Sequence, residues 1–262
     1  MQQIIAIQNN FYAVGRYWGG FNSGIISARS IQAMNTGIKT ADLNWVWNEQ
    51  PLTTDSVKQI GKIKNYYKKL ALPFWWWVYP SGQSPTIREI LSAQGIKFLA
   101  ATPCMAADLS SWNLKHFAPS TIEVLSVTNK TDLHLWEKIS FTGFEMENDI
   151  EAQYHNFITL FDISSKSPQK LFIARFDGVP VASALLFFYQ DTAGIYFVST
   201  LPAYRQKGIG LALTLATMHC AQQSGFKYCI LQSSESGLNV YKQAGFKEYC
   251  HADIYCLHSG CC

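Results

Sequence analysis

Arg205 and Lys207 stand directly ahead of Gly208 and Gly210 in the stretch AYRQKGIGLAL, residues 203–213. Basic side chains, glycines and the start of an apolar helical run are what a backbone needs to bind an anion. The first turn of a helix has unpaired N–H groups and the positive end of the dipole, and glycine lets an anion approach closely. The spacing is neither the dinucleotide-binding GxGxxG nor the P-loop with its GK[ST]. On these residues alone a phosphate cradle and a glycine-eased strand-to-helix turn are equally good readings.

Other chemistries have weaker claims. Cys104, Cys220, Cys229, Cys250, Cys256, Cys261 and Cys262 form no CxxC pair, and no histidine stands at metal-ligand spacing beside them. They are expected to be free thiols of a reducing cytosol, with no metal bound. Cys220 and Cys229 lack a His/Asp partner pattern and read as buried thiols, not nucleophiles. The terminal Cys261-Cys262 pair lacks the C-a-a-X form of a prenylation signal. The acids of FEMENDIE (144–151) read as a solvated helix start, where carboxylates favour the dipole.

The elements that would hold the glycine corner are legible around it. AGIYFVSTLP (193–202) is a strand, GLALTLATMHCAQQSG (210–225) a helix closed by Gly225, KYCILQSS (227–234) a strand, and ESGLNVYKQAGF (235–246) a short helix ending at Gly245. Upstream, TIEVLSV (121–127) is strand-like and two helical segments follow. KLFIARFDGVPVASALLFF (170–188) is a hairpin about Asp177-Gly178, with Pro180 making the second strand start irregularly. KEYCHADIYCLH (247–258) is the last β segment. Helical crossovers imply parallel pairing and hairpins antiparallel pairing, so the sheet is mixed and the class is α/β.

The first half repeats this order. SPTIREILSAQGIKF (84–98) lies over SESGLNVYKQAGFKE (234–248) at a shift of 150 residues, Gly95 on Gly245. WVWNEQP, ending at Pro51, lies over VSTLP, ending at Pro202, at a shift of 151. Between them, DSVKQIGKIKNYYKKL (55–70) is an amphipathic helix with Val57, Ile60, Ile63, Tyr67 and Leu70 on one face. An internal duplication is the better account of this coincidence of order and spacing. It divides the chain into residues 1–119 and 120–262.

Bulk properties limit the partners. The 262 residues are 48% apolar and 15% charged, with a net charge of +3. That excludes global disorder and a strongly basic nucleic-acid surface. MQQIIAIQNN has no basic leader region, and no stretch approaches the ~20 apolar residues of a membrane span. A cytoplasmic chain without nucleic-acid or membrane partners is expected, as a monomer or homodimer.

The second half resembles the GNAT superfamily of N-acetyltransferases. FVSTLPAYRQKGIGLAL (197–213), with its Arg/Gln-x-x-Gly-x-Gly/Ala element at Arg205–Gly210, and SSESGLNVYKQAGF (233–246) carry the likeness, which covers about residues 121–258. The resemblance implies acetyl-CoA as co-substrate and an amine, small-molecule or peptide, as acceptor. It implies that the backbone of Val198, Ser199 and Thr200 holds the pantetheine arm. Arg205 and the amides of Gln206, Lys207, Gly208, Ile209, Gly210 and Leu211 are implied at the pyrophosphate. Tyr241 is implied as the acid that protonates the departing thiolate by direct transfer. Ser234 stands where many relatives carry asparagine, and the strand lacks the glutamate that many use as base. Glu145, Glu147 and Glu235 are substitutes without a motif. A CoA-binding sensor without turnover and a transferase of longer acyl groups are the alternatives.

The first half has LTTDSVKQ (52–59) in place of the glycine corner and Leu91 in place of Tyr241. It resembles the degenerate first domain of tandem GNAT proteins, with Thr53, Thr54 or Asp55 as an ordinary N-cap. Alternate strand residues face opposite sides, so about half of Trp45, Trp47, Trp75, Trp76, Trp77 and Tyr79 should be core; sheet core on both faces is the better reading and an aromatic wall for an acceptor the lesser one. The expected fold is two tandem GNAT-like α/β domains, each a mixed, mostly antiparallel sheet flanked by helices.

Overall fold

The structure, a computed structural model, describes residues 1–22, 24–113 and 121–257. In chain order the elements are α1 (Gln2–Gly19), β1 (Ile25–Ala28), β2 (Ile31–Met34), β3 (Trp45–Asn48), α2 (Val57–Leu70), β4 (Trp75–Val78), α3 (Ile87–Ala93) and β5 (Ile96–Asp108). Then come β6 (Ile122–Ser126), α4 (Lys130–Gly143), α5 (Glu151–Ile158), β7 (Gln169–Phe176), β8 (Val179–Tyr189), β9 (Thr192–Thr200), α6 (Ile209–Gln223), β10 (Tyr228–Gln232), α7 (Leu238–Ala244) and β11 (Lys247–Leu257). The class is α/β, as expected.

The chain forms two compact units. The loop unit comprises Met1–Asn10 and Cys104–Tyr249; the aromatic unit comprises Phe11–Pro103 and Cys250–Cys262. The boundary expected between residues 119 and 120 lies outside the described residues, and compactness divides the chain elsewhere. Each half ends in a strand that serves the other unit. The end of β5 pairs antiparallel with β10, from Tyr228↔Asp108 to Gln232↔Cys104. The end of β11 pairs antiparallel with β4, from Asp253↔Val78 to Cys256↔Trp75.

In the loop unit, β6, β7, β8 and β9 form an antiparallel meander and β10 joins β9 in parallel. The β7–β8 hairpin turns at Asp177 (φ 49°) and Gly178 (φ 79°), both left-handed, as a two-residue turn of primed type requires. The register shifts opposite Pro180, the irregular start that the proline predicts. Helix α6 presents Ile209, Leu213 and Met218 to a core that also takes in Leu186, Ile195, Leu231 and Phe246. Asn10 is buried here. Its amide donates to the carbonyls of Phe187 and Thr192 and its oxygen accepts from the Tyr196 hydroxyl at 2.8 Å.

In the aromatic unit, β1, β2 and β3 are antiparallel and β3 pairs in parallel with β4. Helix α2 buries Ile60, Ile63 and Tyr67 against Val46, Trp76 and Val78, while its end residues Val57 and Leu70 are exposed. Trp45, Trp47, Trp76, Trp77 and Tyr79 are buried and Trp75 is half-buried. Phe11 stacks on Trp45 (centroids 4.5 Å) and Tyr12 on Trp47 (5.8 Å). These tryptophans are core, as expected. Helix α1 and strands β1 and β2 were not expected from the sequence.

Among the described cysteines, Cys104, Cys220, Cys229 and Cys250 form no disulfide. Cys256 is disulfide-bonded, which departs from the expectation of seven free thiols. Cys261 and Cys262 lie outside the described residues.

Candidate active site

Strands β9 and β10 pair only over Thr192–Gly194 and Tyr228–Ile230. Strand β9 continues to Thr200 beyond the last pair, so its edge toward β10 is open over that length. On its other edge Ser199 and Thr200 pair with Ser183 and Ala182 on β8. That ladder slips by one residue between Leu185↔Tyr196 and Ser183↔Ser199. The extra residue is accommodated at Phe197, whose φ is +52°. A bulge of this kind increases local twist and re-aims the backbone. It stands immediately before Val198, Ser199 and Thr200. The Ser199 side chain is turned into the core, with its hydroxyl 2.8 Å from that of Ser183.

The chain then turns through a short 3-10 segment, Pro202–Tyr204, into α6. Among the described residues, the backbone amides of Gln206, Lys207, Gly208, Ile209, Gly210 and Leu211 have no acceptor, and the first helical bond is Ala212 N–H to Gly208 O at 3.0 Å. No side chain caps the helix. The two glycines differ. Gly208 has φ +78°, a conformation that strains any residue with a Cβ. Gly210 has ordinary helical backbone, and a Cβ there would meet nothing within 4 Å. Neither conformation nor packing calls for glycine at 210. A helix start with unpartnered donors and open space beside it has the features of an oxyanion or phosphate site.

A sequence profile described as the acetyltransferase (GNAT) family matches residues 131–246, from α4 through the end of α7. Over that span, somewhat less than half of its length, the chain is similar to the GNAT family. A GCN5-related N-acetyltransferase from Kribbella flavida superposes with a TM-score of 0.72 at 16% identity, over 96% of each chain. One from Sphaerobacter thermophilus gives 0.64 at 13% identity, over 86% of this chain and 76% of that one. A tandem GNAT protein from the clavulanic acid biosynthesis pathway gives 0.57 at 12% identity, over 86% and 77%. No curated protein sequence matches this one significantly.

GNAT proteins use an acyl-CoA, and the residues here fit its pyrophosphate: free amides, no Cβ at 208 or 210, and an open edge on β9. The side chains are arranged differently from the expectation. Arg205 does not aim its full charge at the corner. Its Nε donates to Thr200 O (3.1 Å), its Nη2 to Gly143 O (2.9 Å), and both terminal nitrogens stand 3.3 Å from Glu145 Oε2. It ties the corner to the end of α4. Lys207 is exposed, its Nζ over the rings of Tyr204 (5.0 Å) and Phe176 (5.3 Å). The Ser234 hydroxyl accepts from Gly237 N–H at 3.2 Å and lies 3.1 Å from Ser236 Oγ, so it shapes the entry to α7.

Tyr241 projects from α7 and packs edge-on against Phe246, centroids 6.0 Å apart. Gly237 gives it room: a Cβ there would lie 2.8 Å from its ring. Its hydroxyl has no hydrogen-bond partner among the described residues. Burial pushes its pKa up to about 12, so the phenol keeps its proton at neutral pH. Glu145 is paired with Arg205, Glu147 and Glu235 are exposed, and β9 carries no carboxylate. Burial also pushes the Cys229 thiol well up, which makes it a poor nucleophile. Tyr196, on β9, is bonded to Asn10 in the core.

A groove of about 410 Å³ runs between α6 and α7, lined by Leu211, Leu215, Trp112, Gln243 and Ala244. Trp112 is fixed there by its indole N–H, which donates to Ala244 O at 3.0 Å. Sequence reading missed the groove because Trp112 carries no motif. Among the described residues no helix is long and apolar enough to cross a membrane.

Proposed function

We propose that the protein transfers an acetyl group from acetyl-CoA directly to a primary amine. The run of unpartnered amides from Gln206 to Leu211 beside the open edge of β9 carries this reading. The amides of the corner bind the pyrophosphate, and the backbone of Val198, Ser199 and Thr200 holds the pantetheine arm. Arg205 supports the corner through Thr200 and Gly143 rather than through the phosphates, and Ser234 does the same for α7.

The acceptor nitrogen attacks the thioester carbonyl; the new C–N bond forms and the C–S bond breaks. Tyr241 gives its proton to the departing sulfur. The phenol is protonated at neutral pH, burial pushing its pKa further up, and its hydroxyl, without a partner among the described residues, is available to donate the proton. The nitrogen loses its own proton to solvent, CoA leaves as the thiol, and the Tyr241 phenolate takes a proton back from solvent. Acetyl-CoA affinity by calorimetry, and thiol release with a panel of small amines and peptides, test the proposal. Tight binding with no thiol release for any acceptor would favour a CoA sensor, the reading that the carboxylate-free β9 supports.

A further inference from the structure

Residues His134 and Glu137 lie one turn apart on α4, and His155 comes from α5. Glu137 Oε1 and Oε2 are each 3.0 Å from His155 Nδ1, and Oε2 is 3.5 Å from His134 Nδ1. One donor atom from each residue lies within 4.8 Å of the others. The two rings stand nearly perpendicular, centroids 6.2 Å apart. The carboxylate is at the bottom of the cluster, with its side chain 10% exposed, and the imidazoles form the rim at 54% and 49%.

A buried carboxylate needs a positive partner. Among the described residues no lysine or arginine forms an ion pair with Glu137. Hydrogen bonding accounts for His155 but not for His134, because 3.5 Å exceeds a normal N–H···O distance. Coordination accounts for both. Nitrogen and oxygen ligands about 2.1 Å from one metal ion lie roughly 3.0–3.5 Å apart when the ligand angle is between a right angle and a tetrahedral one. Two imidazoles and one carboxylate are a donor set for zinc and its neighbours among the divalent transition metals.

We propose that His134, Glu137 and His155 bind one divalent transition-metal ion, zinc by their chemistry, that staples α5 to α4. Both helices already meet at Ser140 and Tyr154, whose hydroxyls are 2.7 Å apart, so the ligands are held before the ion arrives. Three protein ligands leave the remaining positions to water at the exposed rim. The site is separate from the glycine corner: Gly143, where α4 meets Arg205, is about 9 Å along the helix from Glu137 and about 13 Å from His134.

The test uses the full chain stripped of metal. Zn²⁺ is titrated in competition with a chromophoric chelator, for the natural protein, His155→Ala, Glu137→Gln and the double variant His134→Ala/His155→Ala. One equivalent is expected in the natural protein, at least tenfold weaker in each single variant and lost in the double. Zn²⁺ should raise the Tm of the natural protein only, and Co²⁺ should give visible bands without a thiolate charge-transfer band. Equal affinity and stoichiometry in the natural protein and the double variant, or a thiolate band, would assign the metal to cysteines and overturn the proposal, as would no binding in the natural protein. Unchanged acetyl-CoA affinity or circular dichroism shows that each variant is folded.

Discussion

The corner between β9 and α6 and the corner between β3 and α2 occupy corresponding places in the two halves and spend their backbone amides differently. In the aromatic unit, β3 and β4 pair through Trp45↔Trp75, Val46↔Trp76 and Trp47↔Trp77, nearly the whole of two short strands. The chain enters α2 through a 3-10 turn in which Ser56 N–H bonds Thr53 O and Thr53 N–H bonds Ser56 Oγ. In the loop unit the parallel pairing stops early, and the amides from Gln206 to Leu211 bond to nothing in the described chain. Leu91, which stands for Tyr241, is fully buried. The same β-α-β-α order thus supports a closed corner and an open one. Being open is a property of the residues at the corner, not of the fold.

The sharpest way to break this comparison is Gly210→Asp. A Cβ at this position meets nothing within 4 Å, and a carboxylate at the start of α6 interacts favourably with the helix dipole, so thermal stability should be unchanged or slightly raised. Against a diphosphate the same charge is repulsive, and acetyl-CoA affinity should fall at least about a hundredfold. Calorimetry and a melting curve read the two signs separately. Retained affinity would mean that the open amides are not the anion site.

Tyr241→Phe should have the next largest effect. Turnover should fall about tenfold to a hundredfold, at the low end of what general acid catalysis contributes, while acetyl-CoA affinity changes little. The raised pKa adds a sign. The acid works while protonated, so its activity is present below about 12 and is lost only as pH rises through that value. Between pH 7 and pH 10 the natural protein should show no loss of turnover that Tyr241→Phe abolishes. A basic limb near the ordinary tyrosine value, absent from the variant, would contradict the burial argument.

Alanine at the two glycines separates backbone from ligand. Gly208 is left-handed, so Gly208→Ala should cost about 1–2 kcal/mol of stability. Gly210 is helical, so Gly210→Ala should stabilise by about 0.5–1 kcal/mol. Both should weaken acetyl-CoA, because either methyl stands at the anion cradle. Urea melts and calorimetry on the pair check this. A Gly210→Ala variant that is both more stable and as tight a binder would remove the ligand argument for that position.

Much of this was legible before the structure. The 3.6-residue patterns of α2 and α4, the apolar run of α6, the Asp177-Gly178 turn and the glycine ends of α6 and α7 depend on neighbouring residues, which sequence displays. The left-handed Gly95 and Gly245, matched between halves, follow the same local logic. What was not legible is non-local. The bulge at Phe197 places a phenylalanine at positive φ, which no local propensity predicts. Arg205 reads as a phosphate ligand until Gly143 and Glu145, some sixty positions earlier, are brought against it. Exchange of β5 and β11 between halves depends on which strand each one pairs with, β10 for β5 and β4 for β11, and strand order along the chain does not determine that. Helix α1 has no acidic residue in its first turn, and its middle carries the aromatic and small residues of a two-sided core. Glu137 and the two histidines are two helices' worth of information.

The smallest expected effect belongs to the closed corner. Ser56→Ala removes the acceptor of Thr53 N–H, a bond of 3.1 Å at an exposed site. Water replaces the lost partner there, so the cost should be about 0.5–1 kcal/mol of stability, as for other exposed helix-entry bonds. Acetyl-CoA affinity should not move, because the amides of Thr53, Ser56 and Val57 at this corner are bonded within the chain. A melting curve and calorimetry on the one variant give both numbers. The pairing of a small stability loss with no binding loss is the inverse of Gly210→Asp, where binding goes and stability stays. If Ser56→Ala weakened acetyl-CoA, the aromatic unit would take part in binding, and the contrast between a corner that closes on itself and one that waits for a ligand would fail.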